Sequence, residues 1–159
     1  MKLNNIGLPK AEAEVLAAEL NVLLANFQIY YQNLRGLHWN IRGKRFFDLH
    51  LKFEELYNDS QLKIVLIAER VLTLGSTPLH TFSDYISISK MKVGKNISNG
   101  SEAVKLILES KSVLLQLERV ILKNTTAIKD EGTNSMISDF IVEQEKTNWM
   151  FKAWLEKAI

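Results

Sequence analysis

A chain of 159 residues, 47% apolar and 24% charged, has the composition of a globular protein and the length of one domain spanning 1–159, long enough to bury roughly 70% of the surface its unfolded form exposes. The absence of cysteine excludes disulfides, thiolate metal sites and cysteine-based catalysis, and a net charge of +2 is too small and too evenly spread to indicate nucleic-acid binding unaided. Neither a signal peptide at the start nor an apolar run of membrane length is visible, so a cytoplasmic location with no membrane association is expected.

Glycine and proline partition the chain. The prolines are Pro9 and Pro78, and the glycines leave four long stretches nearly free of breakers, which predicts four helices. The first runs from 9 to about 37; Pro9 suits a first helical turn, and Leu16, Leu20, Leu23, Leu24, Phe27 and Tyr31 recur at helical spacing. The second runs from 46 to 74, with Gly75 as a C-terminal cap and Pro78 shortly beyond. A long connection, 76–100, contains His80 to Ile86, which could form a short extra helix. Ser101 as N-cap and Glu102 in the first turn begin the third helix, which continues through Leu108, Leu115 and Leu122 to about Ile128. The stretch 130–133 is the last break. Thr133 caps a fourth helix running through Met136, Phe140, Trp149 and Trp154. The fold class expected is therefore all-α: a four-helix bundle whose one long crossover, between helices 2 and 3, holds a short extra helix, the ferritin-like arrangement.

Two of the three histidines lie close together in sequence, His38 in Leu37-His38-Trp39-Asn40 and His50 twelve residues on. Glu54 follows His50 by one helical turn, so their side chains point the same way. Glu69 is a further carboxylate in an otherwise apolar run. Imidazole with carboxylate suits iron, zinc or manganese; a histidine four residues from a glutamate also arises in ordinary packed or solvated helices. His50 and Glu69 are separated by about 28 Å along a straight helix, so one ion cannot bind both. Either Glu69 is unrelated to the histidines, or it meets His38, His50 and Glu54 of a partner across a two-fold axis, which makes two sites per dimer. Trp39 and the tryptophans of the last helix read most simply as core or interface residues.

Leu37-His38-Trp39-Asn40, Gly43, Phe46-Phe47-Asp48-Leu49-His50, Phe53-Glu54-Glu55-Leu56-Tyr57, Ile67-Ala68-Glu69-Arg70 with Gly75, and Glu145-Lys146 followed by Trp149-Met150 resemble the Dps-type mini-ferritins. The resemblance extends from about Leu20 to Leu155. It implies a homo-oligomer, a dodecameric cage, that oxidises Fe²⁺ with peroxide or oxygen and stores the ferric mineral, limiting oxidative stress. It also implies a ferroxidase-type oxidoreductase site at the two-fold interface, with His38, His50 and Glu54 from one subunit and Glu69 from the other. Iron is the expected metal, and Zn²⁺ could substitute. Glu54 stands where many relatives have Asp, and both offer carboxylate oxygens. Val65 is the serious departure. The family has a carboxylate four residues before the Glu of Ala-Glu-Arg, and Val binds no cation. Iron binding and oxidation are therefore expected to be weakened or lost, and the apolar run 62–67 favours packing at the interface of the second helices. A structural cage or passive metal container without oxidation activity is the alternative.

Some members of the family compact DNA with a lysine-rich tail. The first 34 residues here offer only Lys2 and Lys10 against Glu12, Glu14 and Glu19, and the end offers Lys152 and Lys157 beside Glu156. Few basic contacts imply weak DNA binding or none. Asp130, Glu131 and Asp139 could line an entry pore, or equally be solvated helix-end charges.

Overall fold

The computed structural model describes residues 1–156. Among them are five helices and no strand: α1 (Lys10–Asn40), α2 (Phe46–Thr73), α3 (Phe82–Ile88), α4 (Gly100–Ile128) and α5 (Glu131–Leu155). α1, α2, α4 and α5 are the long bundle helices, and α3 is the short helix of the crossover. α1 is the hub, packing against α2, α3 and α4, while α4 packs against α5. The core is a column of α1 residues (Leu16, Leu20, Leu23, Leu24, Phe27, Leu34) closed by Phe53 and Ile67 from α2, Leu114 and Ile121 from α4, and Ile137 from α5. Each such side chain stabilises the bundle by about 1.5–3 kcal/mol through burial. Phe27 meets Phe140 edge-on, tying α1 to α5 across the bundle.

The helix ends follow local chemistry, with several departures from the sequence expectation. α1 does not stop near Leu37; it passes through Gly36 and ends at Asn40, and Pro9 lies just outside it as the N-cap residue. Tyr30, not Tyr31, takes the buried position of that stripe; Tyr31 is half-buried and meets Tyr57 edge-on. Gly75 does end α2, with φ +94°, a conformation open to glycine at no steric cost. Asn99, not Ser101, caps α4 through its side chain, which accepts from the Glu102 N–H. α5 likewise starts at Glu131, so the break is only Lys129 and Asp130. Its cap is Asp130, which accepts from the Thr133 N–H; Thr133 sits inside the first turn as the donor. Asp130 is also buried and ion-paired to Arg70 at 2.7 Å. It therefore ties the end of α2 to the start of α5 and is no solvated pore carboxylate. Trp39 and Trp149 are exposed, not in the core. No helix of the described residues is long and apolar enough to cross a membrane. Lys157 lies outside the described residues.

Candidate metal centre

His38 occupies the last turn of α1 and His50 the first turns of α2, and the short loop 41–45 folds one back on the other. The two imidazoles stack with centroids 3.8 Å apart and planes 13° from parallel. Each ring is held by the other residue's main chain. His38 Nδ1 lies 2.6 Å from the His50 carbonyl oxygen, and His50 Nδ1 lies 2.7 Å from the His38 carbonyl oxygen. The His38 carbonyl has no partner in the helical ladder, because the Arg42 N–H is directed to the Ser98 carbonyl.

This exchange fixes the tautomer. A carbonyl only accepts, so each Nδ1 carries the proton and donates. Nε2 of each ring is left free of the clasp, and in this tautomer it carries the in-plane lone pair with which imidazole ligates a metal. Those lone pairs lie in the ring planes. Two nearly parallel planes this close do not converge within the about 2.0–2.1 Å of a metal–nitrogen bond, so each imidazole addresses its own cation position.

The surroundings hold the pair in place. Phe46 stacks against His50 at 4.8 Å, and Tyr57 meets His38 edge-on at 5.4 Å. Glu54, half-buried, follows His50 by one turn and lies beside the Tyr57 hydroxyl. Burial first, and the Glu54 carboxylate second, raise the Tyr57 hydroxyl above the ordinary phenol value. Arg35 lies over the Trp39 ring at 4.9 Å and the Tyr31 ring at 5.4 Å, next to this group.

His38, His50 and Glu54 are thus brought to one end of the α1–α2 hairpin. Glu69 is not. α2 is continuous from Phe46 to Thr73, which puts Glu69 near its far end, about 28 Å from His50. Glu69 is exposed, and it shares its helix face with Leu62, Val65, Leu66 and Leu72, which are 66%, 48%, 47% and 58% exposed. Among the described residues no three His, Asp or Glu side chains gather closely enough to hold an ion. The imidazoles lie at one end of α2, and toward its other end is an exposed apolar ridge of the kind that marks an association surface. His80 is exposed in the crossover, bonded to the Pro78 carbonyl.

Sequence reasoning missed a second polar group, inside the bundle. Lys63, Lys111, Glu118 and Gln144 are buried where helical spacing places core residues. Lys63 pairs with Asp59 and Glu143, each at 2.6 Å. The signal was present: Lys63 falls between Ser60 and Ile67 on the buried stripe of α2, and Lys111 and Glu118 fall between Ile107 and Ile121 on that of α4.

Residues 17–158 match the ferritin-like domain family. The crystal structure of a Dps protein from Vibrio cholerae O1 superposes with a TM-score of 0.96 at 47% identity, covering 98% of each chain. The chain is a Dps-type member of the ferritin-like family. A protein of Haemophilus influenzae is 45% identical over 96% of both chains, and the DNA protection during starvation protein of Porphyromonas gingivalis is 36% identical over 70% of both. The Vibrio cholerae protein is described as belonging to a broad superfamily of ferritin-like diiron-carboxylate proteins. This Dps-type chain has the same all-α bundle with a helix in its crossover, and its bundle interior holds two lysines.

Proposed function

We propose that this Dps-type chain assembles into a homo-oligomeric cage, a dodecamer, that takes up Fe²⁺, oxidises it at the boundary between two antiparallel α2 helices and retains the ferric product. The observation that carries this reading is the reciprocal clasp of His38 and His50, which leaves two Nε2 lone pairs poised for cations. Glu54 follows His50 by one turn on α2, and Glu69 of a second copy brings the remaining carboxylate. Two Fe²⁺ each give up one electron to one hydrogen peroxide; its O–O bond breaks, two protons are taken up and two waters leave. Removing Fe²⁺ and peroxide together limits radical chemistry in the cytoplasm.

Val65 weakens that site. Its isopropyl group, on the exposed face one turn before Glu69, offers no oxygen to a cation. The site keeps two imidazoles and two carboxylates, a donor set that zinc accepts as readily as iron. Mix the protein with Fe²⁺ and an equal amount of peroxide and follow the ferric absorbance. Oxidation faster than protein-free buffer, with iron retained on gel filtration, supports the reading; a rate equal to buffer with nothing retained rejects it. Retention of metal without faster oxidation supports the second reading, a passive container, which Val65 favours.

A DNA-compacting tail gains no support from the first residues. They fold back on the bundle: the Lys10 N–H donates to the Lys2 carbonyl at 2.9 Å, Leu3 bridges Pro9, and the Asn4 side chain donates to the Leu74 carbonyl. A tail pinned in this way has few basic groups to offer a phosphate backbone. A gel shift at low salt should give no retardation.

A further inference from the structure

Glu118 has no solvent exposure, and its side-chain hydrogen-bond partner is a neutral one, the Gln144 amide. Gln144 Nε2 lies within reach of both carboxylate oxygens and also donates to the Phe140 carbonyl. Its other amide atom, Oε1, is buried with no donor. A buried acceptor without a donor is costly, and it sits on the side chain that already holds the carboxyl group. Protonating Glu118 supplies the missing donor. The carboxyl O–H turns to Gln144 Oε1, Nε2–H continues to donate to the other carboxyl oxygen, and a two-bond acid–amide pair closes inside the bundle.

The charged neighbours come from each helix packed here. On α4 itself, Lys111 is buried seven residues earlier, and Arg119 is drawn outward to Glu145 at 2.8 Å. On α2, Lys63 is engaged by Asp59 and by Glu143 of α5. From α1, the Tyr30 ring lies under the Lys111 ammonium at 5.5 Å, and its hydroxyl is buried without a partner. Lys111 is therefore the cation left to balance an ionised Glu118.

We infer that Glu118 is a proton-binding site built into the bundle interior, filled as an acid–amide pair with Gln144 and emptied on alkalinisation, so that its contribution to bundle stability falls as pH rises toward neutrality. Burial raises the Glu118 carboxyl to about 7, against the opposing pull of Gln144 and Lys111. A carboxyl raised on folding stabilises fully below its unfolded value, and that contribution is lost as pH rises through about 7. Burial lowers Lys111 to about 8, so its own contribution runs the other way, present at high pH and lost as pH falls through about 8. Between the two values both groups are charged and buried together.

The test is thermal unfolding of the assembled wild-type protein and of E118Q from about pH 6 to about pH 8, with isotope-edited infrared spectra of the glutamate carboxyls. The wild-type midpoint should fall across this window by about 2–4 °C more than that of E118Q, and a protonated-carboxyl band should vanish over the same range in the wild type and be missing from E118Q. Parallel melting profiles, or a fully ionised Glu118 at the acid end, overturn the inference. In K111M, which removes the balancing cation, the infrared titration should move to higher pH; a titration that stays in place overturns it too.

Discussion

In its first half α2 carries His50 and Glu54 on a side already organised by α1, with each imidazole fastened through Nδ1 to a carbonyl of the other helix. In its second half it carries Val65 and Glu69 on an exposed face, among Leu62, Leu66 and Leu72. One helix thus holds a preorganised donor group and, some 28 Å away, an isolated carboxylate in an apolar ridge. The contrast separates two tasks. Orientation of the two imidazoles is completed within the chain, whereas the proposed function leaves completion of a ligand set to association. An apolar ridge suits that second task, because each large side chain buried on assembly adds about 1.5–3 kcal/mol.

Substitutions at three places probe this difference. The largest effect on metal binding is expected in the first half. H38A or H50A deletes an Nε2 ligand together with the clasp that orients its neighbour, and outer-shell partners alone are worth about 10–100-fold in metal affinity. Calorimetry with Zn²⁺ should therefore show a loss of at least about a hundredfold; affinity kept within a few-fold of wild type would break the first half of the comparison. On the inner side of the second half, D130A removes the partner of Arg70 and the cap of α5 at once. Leaving Arg70 without its buried partner should cost about 3–5 kcal/mol, read from urea unfolding, with Zn²⁺ affinity of the folded protein unchanged. On its outer side, V65D should raise Fe²⁺ affinity by about tenfold, or ~1.4 kcal/mol, while lowering the thermal stability of the assembly, since a carboxylate replaces an apolar contact. No gain in affinity would mean that Val65 does not face the metal.

Much of this contrast was legible in the sequence. Apolar spacing and the position of Gly75 gave α2 its length, and that length alone implied that Glu69 and His50 cannot share an ion within one chain. The stacking of the imidazoles was not legible, because it depends on how the loop 41–45 returns α2 onto α1. Cap positions shifted where several cap-forming residues follow one another: Asn99 outcompetes Ser101, and Asp130 outcompetes Thr133 because its carboxylate also pairs with Arg70. Tyr30 and Tyr31 are adjacent, and Tyr30 is the one that packs against Phe27. The interior charges of Lys63, Lys111 and Glu118 were not legible because lysine and glutamate are mostly exposed residue types. Their alignment with Ile67, Ile107 and Ile121 was the available clue.

In the proposed function each metal centre is shared by two copies of the chain. Co-assembly of H38A subunits with E69Q subunits tests it most directly. In a mixed pair related by a two-fold axis, one centre collects both defects and the other collects neither. Each homogeneous variant should bind Zn²⁺ weakly, and the co-assembled protein should recover about a quarter of the wild-type high-affinity sites. Recovery of none, with both subunits present in the same particles, would contradict it.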